Sequence, residues 1–377
     1  MRILVVGAGI AGPTVAALLH RAGHEVTIVE KNQSPMHIGF GVLMWPSGLA
    51  ALDALGIGNT IRSLGEPINT LNLHDDKNHP LNQLSLERFG KDTWPLQIAR
   101  ADLHRLIIEA GERELSIRYG ITVAAWKQDV DKVEVEFSDG TPGMFDLLID
   151  ATGSHSTFRT ELFGEETFHS LQRTIYMWWT DMPVAKNILN AFLGIPALFA
   201  TMPHKQGGMS LLMVPHTSTD PAINIDTVIA TLPAAAQKSY QMRRNPEVSL
   251  FHLDLAETHA PSWSKGRLIG IGDVEHAIIP ILGVGSVLAL EDALALSEVL
   301  AKAQPEEVLH VLGIFSKRRT PRVQKVQRLA HILTRFLLPI SPFYARLRNF
   351  ILPIVPLSFL EDKIIQMGQG SKPAGEE

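Results

Sequence analysis

The chain contains no cysteine among its 377 residues. This absence excludes disulfide bonds, thiolate catalysis and cysteine-ligated metal sites. It agrees with a reducing compartment, and we predict a cytoplasmic protein. Neither sign of charge is in large excess, since the formal net charge is −5 and the isoelectric point is near 6.3. Such a balance indicates no electrostatic footprint for nucleic acid or for an anionic membrane surface.

Long hydrophobic runs are also lacking. The first apolar run, Ile3–Val6, is too short for a secretory signal. Prolines and arginines interrupt the apolar segment 331–365, so no run reaches the roughly 20 residues that span a bilayer. We therefore predict no transmembrane segment. Short helices packed on the main domain are the favoured interpretation of this segment, and a weak contact with a membrane surface is the alternative.

The histidines show no local metal-binding pattern. There are 15 of them, and no HExxH motif occurs. We predict no metal site.

The first 31 residues have the order of parts that dinucleotide binding requires. An apolar run, Ile3–Val6, precedes the GxGxxG pattern of Gly7, Gly9 and Gly12, and a second apolar run ends at Glu30. The glycines allow a tight turn, a close approach of backbone N–H groups to a pyrophosphate and close packing of the next helix, while the acid can bind ribose hydroxyls. The predicted cofactor contacts are Gly7, Gly9, Ile10, Ala11, Gly12, Glu30 and Lys31. This motif alone does not distinguish NAD from FAD.

A second segment, Gly266–Leu300, makes that distinction. A predicted strand, Arg267–Ile271, runs into Gly272-Asp273, and after Pro280 a Gly283-Val-Gly285 turn opens a long helix. The arrangement resembles the second flavin motif of the single-component flavoprotein monooxygenases, the para-hydroxybenzoate hydroxylase-like family. The residues that match the family pattern are Asp273, His276, Pro280, Gly283, Gly285, Glu291 and Asp292.

The resemblance implies further cofactor contacts. Arg100, just ahead of an amphipathic helix, is similar to the arginine that the family places near the flavin. The FAD contacts predicted outside the first motif are Arg100, Asp273, Pro280, Gly283, Val284, Gly285 and Ser286. His276 is expected to be structural, because a catalytic base must reach the substrate.

The segment Phe145–Gly164 looks like the middle motif of this family but departs from it. Where the family has Gly-Ala-Asp-Gly, this chain has Asp150-Ala-Thr152-Gly, with Ser156 and Arg159 retained. We expect Asp150 to replace the charge that is missing at Thr152.

The resemblance implies an α/β fold: a Rossmann-like FAD-binding domain with an inserted, mostly antiparallel β-sheet substrate domain and C-terminal helices. The expected FAD-binding domain comprises residues 1–67, 98–166 and 262–330, and the substrate domain 68–97 and 167–261. Residues 331–366 should form the C-terminal helices, and 367–377 a disordered tail. Residues 202–215 read as a β-hairpin.

Family membership also implies a reaction. An FAD-dependent monooxygenase would use NAD(P)H and O2 to hydroxylate or epoxidise an aromatic or apolar small molecule through a flavin C4a-hydroperoxide. A reductase or dehydrogenase of the same fold, a halogenase and a non-catalytic flavin-binding protein remain alternatives. No catalytic acid or base can be named, and a monomer or homodimer is expected.

Other residues allow weaker predictions. Tyr176, Trp178 and Met213 are candidates for the substrate pocket, and adjacent Trp178 and Trp179 should face opposite sides of a strand. Lys317, Arg318 and Arg319 are expected to form a solvated helix face.

Overall fold

The computed structural model describes residues 1–35, 40–90, 93–112, 115–164, 168–194, 197–205, 207–215, 225–247, 250–339 and 341–370. Its strands are β1 Arg2–Val6, β2 Glu25–Glu30, β3 Gly41–Met44, β4 Glu66–Pro67, β5 Thr70–Asp75, β6 Pro80–Ser85, β7 Leu96–Ala99, β8 Ile117–Tyr119, β9 Val123–Gln128, β10 Val133–Phe137, β11 Pro142–Phe145, β12 Leu147–Asp150, β13 Phe168–Thr180, β14 Ile188–Leu193, β15 Leu198–His204, β16 Gly207–Pro215, β17 Phe251–Thr258, β18 Ser264–Lys265 and β19 Leu268–Gly270. Its helices are α1 Ala11–Arg21, α2 Pro46–Ala54, α3 Gly58–Leu64, α4 Arg100–Glu112, α5 Arg159–Phe163, α6 Ile225–Ala230, α7 Ala234–Gln241, α8 Asp273–His276, α9 Gly285–Leu300, α10 Val308–Leu337, α11 Pro342–Ile351 and α12 Ser358–Gln369.

A six-stranded sheet holds the N-terminal motif near its centre. The strand order is β18-β19-β12-β1-β2-β8, and β1 runs parallel to both β12 and β2. The apolar residues of β1 are buried because both faces of the sheet are covered: Ile3 and Val5 pack in the main core with residues of α1 and α9, and Leu4 and Val6 pack against residues of β10 and α5. The carboxyl ends of β1, β12 and β19 therefore meet at one edge, where ligands bind in open α/β sheets.

A seven-stranded sheet has the order β17-β13-β16-β15-β14-β5-β6. All of its pairs are antiparallel except β14 with β5. β15 and β16 form the predicted hairpin, although Gln206 lies outside the described residues. Together the two sheets confirm the predicted α/β fold class.

The seven-stranded sheet has two differently covered faces. The face that carries Ile175, Met177, Met213 and Leu198 belongs to the main hydrophobic core, and we call it the inner face. The opposite, outer face is covered by α6 and α7 and has its own cluster, including Trp178, Phe199 and Ile229. Residues alternate between these faces along each strand.

Two of the expected C-terminal boundaries are wrong. Helix α10 continues for 30 residues through Pro321, so the expected start of the C-terminal helices at residue 331 falls inside it. α12 extends to Gln369, past the expected start of the tail at 367, because Met367 and Gly368 are buried. Residues 371–377 lie outside the described residues. The other domain boundaries stay predictions.

The described part of the chain contains no helix that is both long and apolar enough to cross a membrane.

Candidate cofactor and substrate site

In the glycine turn after β1, one glycine has free space where a side chain would lie, and two glycines do not. A Cβ on Gly12 would lie 1.9 Å from the Gly7 carbonyl oxygen, and one on Gly7 would lie 2.6 Å from the Ala151 oxygen. A Cβ on Gly9 would meet no atom within 4 Å. The space in front of Gly9 is therefore available to a ligand, while Gly7 and Gly12 hold the turn in place.

Helix α1 begins at this turn without a protein cap. No side chain accepts its first N–H groups, and its first turn contains no acid. Free N–H groups at a helix N-terminus bind phosphate oxygens. The turn thus fits the pyrophosphate of a dinucleotide.

Glu30 lies at the end of β2 beside the turn. One carboxylate oxygen accepts a hydrogen bond of 2.8 Å from the Ala8 backbone N–H, and the other accepts from the backbone and side chain of Asn32. Oε1 thus uses both of its acceptor positions, whereas Oε2 keeps a second one that a ribose hydroxyl could use. Lys31, the next residue, is exposed.

The second flavin motif packs directly against the first, although about 260 residues separate them. Gly272 has a φ of +68°, and a Cβ on it would lie 3.3 Å from Ala289 and 3.7 Å from Ala11. It thus lies where α1 and α9 approach each other. Asp273 follows Gly272, is exposed, and has a carboxylate oxygen 4.0 Å from the position of a Cβ on Gly285.

Helix α9 also begins without a capping side chain or an acid in its first turn. Gly283 precedes it with a φ of +62°, and a Cβ there would lie 3.1 Å from the Leu43 Cβ of β3. Pro280, Gly285 and Ser286 are partly accessible, whereas the Val284 side chain is buried. Val284 can therefore offer a cofactor its backbone only.

A buried ionic network of side chains from α8, α9 and α10 holds the Gly272 turn in place. Asp292 accepts hydrogen bonds from the Gly272 N–H at 2.9 Å, from His276 at 2.6 Å and from the Arg319 Nε at 2.7 Å. Glu291 binds Arg319 and Arg322, each at 2.8 Å. Burial by itself would raise the pKa of Asp292, but the charges of His276 and Arg319 lower it below its usual value.

The expectation that Arg319 is solvated is thus wrong. Lys317 is exposed and Arg318 pairs with Glu298, but Arg319 is only 3% exposed. Its position on α10 places the Arg319 side chain against α9, where Glu291 and Asp292 of the family pattern lie. His276 is fully buried in this network, which agrees with a structural role.

Asp150 cannot replace a charge at the surface of the middle motif. It is fully buried, and its carboxylate accepts hydrogen bonds from the Thr152 N–H and hydroxyl, at 3.0 and 2.6 Å, and from the Ser156 hydroxyl. Burial raises its pKa, against the effect of these hydrogen bonds. Asp150 therefore organises the turn that packs on Gly7 rather than facing a nicotinamide. Arg159 of the same motif donates to the backbone oxygens of Ser154 and Asp273.

Arg100 lies between the cofactor turns and the seven-stranded sheet. Burial lowers the pKa of its guanidinium, and the nearby Asp273 carboxylate opposes that shift. Its guanidinium carbon is 5.5 Å from the centre of the Phe40 ring, which lies 4.5 Å from the Phe251 ring of β17. Asp273, Arg100 and Phe40 therefore lie one after another between the cofactor turns and the inner face.

Two of the three predicted pocket residues, Tyr176 and Trp178, are on the outer face. Trp178 packs on the outer face against Phe199 and Tyr240, and its Nε1–H donates to Ser239. Tyr176 is on the same outer face, beside His252. Met213 is on the inner face but is buried in the core at 1% exposure. Trp178 and Trp179 do face opposite sides, as predicted, and Trp179 contacts His204 at 4.6 Å between ring centres.

The inner-face residues nearest the cofactor turns were missed from the sequence. Met209 accepts a hydrogen bond of 2.9 Å from the Gly41 N–H, which joins the sheet to β3 beside Gly283. Its partners across the strands are Trp179 and Met202, and the next inner-face pair is Met177 with Leu211. Apolar alternation indicates which residues share a face but not which face meets the cofactor.

One buried acid in the flavin motif has no partner. Neither carboxyl oxygen of Glu275 has a hydrogen-bond partner among the described residues, and the side chain is 2% exposed. Burial raises the pKa of Glu275 well above its usual value, and the charges of Asp292 and Asp150 add to the shift. The protonated form is the one that this environment favours.

Glu275→Gln should change how stability depends on pH. Because the folded-state pKa of Glu275 is raised, the unfolded chain releases this proton at a lower pH than the folded protein does. The parent therefore loses stability as the pH rises from the ordinary glutamate pKa towards the folded-state pKa. The neutral amide removes that loss. Urea unfolding of both proteins between pH 5 and pH 8 measures the difference. Parallel pH profiles would contradict the assignment of Glu275 as a neutral buried acid.

Comparison with known proteins identifies the family. Residues 1–330 match the family model described as FAD binding domain. The chain belongs to this family of FAD-dependent aromatic hydroxylases. It is therefore an FAD-dependent monooxygenase, and the suspected resemblance is confirmed.

Relatives match over nearly the whole chain. The 2-heptyl-3-hydroxy-4(1H)-quinolone synthase of Pseudomonas aeruginosa is 26% identical, with 94% of each chain covered. The FAD-dependent urate hydroxylase of Klebsiella pneumoniae is 26% identical, over 86% of this chain and 87% of that protein. The crystal structure of Klebsiella pneumoniae HpxO complexed with FAD and uric acid superposes with a TM-score of 0.88 at 22% identity, covering 98% of this chain and 97% of that chain.

Proposed function

We propose that this monooxygenase uses NAD(P)H and O2 to hydroxylate an aromatic small molecule, with a nitrogen heterocycle or a phenol as the reacting ring. The observation that supports the proposal is the convergence of three distant segments. The Gly7 turn, the Asp150 turn and the Gly272 turn meet at one sheet edge, and Arg100 and Phe40 connect that edge to the apolar inner face.

The residues at this edge fit FAD. The Gly9 space and the first N–H groups of α1 would hold the pyrophosphate, Glu30 the adenosine ribose, and Asp273 the ribityl hydroxyls. The uncapped N–H groups of α9 would stabilise negative charge on the flavin ring. When bound, FAD supplies the chemistry, accepting a hydride from NAD(P)H and activating O2.

In the overall reaction one oxygen atom of O2 enters the substrate and the other leaves as water. Substrate, NAD(P)H, a proton and O2 give hydroxylated substrate, NAD(P)+ and water. The chain's own contributions are to orient the ring, exclude water and place the charge of Arg100 beside the reacting atoms. No acid or base in the protein is assigned to the oxygen transfer.

The inner face favours an apolar aromatic substrate. Met177, Leu211 and Phe251 present thioether, aliphatic and aromatic groups towards the core, and Phe40 stacks on Phe251. Aromatic rings bind well between such groups, and sulfur contacts add to the attraction. The names of the relatives agree with the nitrogen-heterocycle part of the proposal, since a quinolone and urate are nitrogen heterocycles.

Met177→Ala and Tyr176→Phe are a matched pair that tests where the substrate binds. They are neighbours on β13 with opposite faces, so we expect Met177→Ala to raise KM for the best substrate about tenfold, through loss of roughly 1.4 kcal/mol of contacts. Tyr176→Phe should change KM less than about twofold. A panel of phenols and N-heteroaromatics, screened by substrate-stimulated NAD(P)H oxidation with the FAD-loaded enzyme, supplies that substrate. Equal effects of the two variants, or a larger effect of Tyr176→Phe, would refute the inner-face site.

The cytoplasmic location and the monomeric or homodimeric state stay predictions.

A further inference from the structure

The C-terminal helices expose an unusual amount of apolar surface. Seven side chains, each at least 40% exposed, form what we call the apolar surface: Ile332, Phe336, Phe343, Tyr344, Leu347, Phe350 and Ile354. Phe343, Leu347, Phe350 and Ile354 follow the helical spacing of one face of α11 and its extension. Phe336 of α10 adjoins them, because it lines the same cavity as Tyr344 and Leu347. Contiguous exposed apolar patches mark interaction sites.

α11 is held firmly on its inner side. Arg348 is 2% exposed and donates a hydrogen bond of 2.9 Å to the Leu193 oxygen at the end of β14. Ala345 is fully buried. The helix is thus docked on the protein by one face and leaves its aromatic face outside.

The charged residues of α10 and α11 are all basic. From Val308 to Leu360 the sequence contains nine Lys or Arg residues and no Asp or Glu, although Arg319, Arg322 and Arg348 are buried and Arg318 pairs with Glu298. Arg335 and Arg346 are exposed at the apolar surface, and exposed Lys325 and Arg328 continue along the same side of α10 at helical spacing. The overall composition hides this local asymmetry.

A cavity of about 510 Å³ opens between the end of α10 and α11. Its walls are mostly apolar, with Phe336, Leu347 and Ile351 among them, and Arg173 and Arg335 supply positive charge. The Arg173 Nη1 is buried and has no hydrogen-bond partner among the described residues. An apolar cleft with a cationic lining suits an amphiphile that has an anionic head.

We propose that the apolar surface docks on an anionic lipid bilayer, with its aromatic side chains in the headgroup region and its arginines on lipid phosphates. A second copy of the chain fits the surface less well. A symmetric dimer would bury the arginines of both subunits in one interface, and the stretch from Val308 to Leu360 contains no acid to pair with them. The proposal does not depend on the substrate or on the reaction.

Vesicle co-sedimentation of the full-length, FAD-loaded protein tests the proposal. We expect binding to vesicles of phosphatidylcholine with roughly 30% phosphatidylglycerol, at least about tenfold weaker binding to pure phosphatidylcholine, and weaker binding at high salt. Phe343→Ser combined with Phe350→Ser, and separately Arg346→Glu, should each reduce binding about tenfold or more. Leu309→Ser and Lys302→Glu, exposed positions outside the apolar surface, should have no effect.

Unchanged thermal melting and FAD content would show that the variants are folded. Absence of parental binding to either vesicle, or equal binding by parent and apolar-surface variants, would overturn the proposal. A parental dimer that Phe350→Ser dissociates, without vesicle binding, would assign the surface to self-association instead.

A separate cluster indicates a divalent metal site. Glu257 at the end of β17, His259 just beyond it and His331 of α10 bring three ligand atoms within 4.8 Å of one another. The Glu257 oxygens lie 2.8 Å from His259 Nε2 and 3.0 Å from His331 Nε2. The His169 ring of β13 is 5.9 Å from that of His259. Sequence spacing does not reveal this cluster, because His331 is far along the chain from Glu257 and His259.

We propose that Glu257, His259 and His331 bind Zn²⁺, for which carboxylate and imidazole ligands are suitable. Titration of the untagged, EDTA-treated, FAD-loaded protein with Zn²⁺ should show one site. His331→Ala and Glu257→Gln should weaken it about tenfold or more, whereas His310→Ala, an exposed histidine of the same helix, should not. Equal affinity in all four proteins, or no binding by the parent, would show that the cluster is only hydrogen-bonded.

Discussion

Arg319→Met is expected to lower the free energy of unfolding by about 3 to 5 kcal/mol. Arg319 is 3% exposed and bridges Asp292 and Glu291 with hydrogen bonds of 2.7 and 2.8 Å. The substitution leaves the fully buried Asp292 without an arginine partner, and Arg322 then remains as the arginine partner of Glu291. Because Asp292 also holds the Gly272 N–H, the loss should loosen the turn that carries Asp273 and weaken FAD binding.

Lys317→Met is the matched control on the same helix. Lys317 is exposed, so its replacement should change the free energy of unfolding by less than about 0.5 kcal/mol. Urea titration followed by tryptophan fluorescence gives both values. Arg319→Lys should recover only part of the loss, because an ammonium group cannot bind both acids with the geometry of a guanidinium. Equal stability of the two methionine variants would contradict the structural role of the network.

Gly9→Ala should lower FAD affinity about 100-fold, equivalent to about 2.8 kcal/mol, while the protein stays folded. A Cβ at Gly9 meets no atom of the described residues within 4 Å, so the added methyl group would occupy only the space that we propose for the pyrophosphate. Fluorescence titration of the apoprotein with FAD measures the affinity. Thermal melting without FAD should match that of the parent apoprotein.

Two other glycines provide the comparison. Gly313→Ala adds a methyl group in open space on α10, and should leave FAD affinity unchanged. Gly12→Ala places a Cβ 1.9 Å from the Gly7 oxygen, and should lower FAD affinity and thermal stability together. If Gly9→Ala bound FAD as tightly as Gly313→Ala does, the pyrophosphate would have to lie elsewhere.

The sequence was sufficient to predict the cofactor elements because their signals are local. The first motif is a buried strand followed by Gly7, Gly9 and Gly12. The second is Gly272-Asp273, followed by a helix with its own glycine turn. In each motif the residues expected to contact the cofactor are close together in the sequence. The α/β class follows from the same alternation of strands and helices. The structure adds that these turns meet, as the contact of Gly272 with Ala11 shows.

The remaining features depend on packing between distant segments. Alternation along β13 separates Trp178 from Trp179, but only the position of α6 and α7 decides that Trp178 is on the covered outer face. Arg319 belongs to a basic run that is typical of a solvated surface, and it is buried because α10 crosses α9 at two acids. Pro321 indicates a helix end, yet α10 continues through it.

Turnover under ¹⁸O2 tests the central claim most directly. The FAD-loaded protein, supplied with NAD(P)H and the best substrate from the panel, should consume O2 and NAD(P)H in equal amounts and give a product that contains one ¹⁸O atom. The Gly9→Ala protein should form this product only at high FAD concentration. A product without ¹⁸O, formed while NAD(P)H is oxidised and no matching O2 is consumed, would identify a reductase of the same fold and contradict the proposed oxygen transfer.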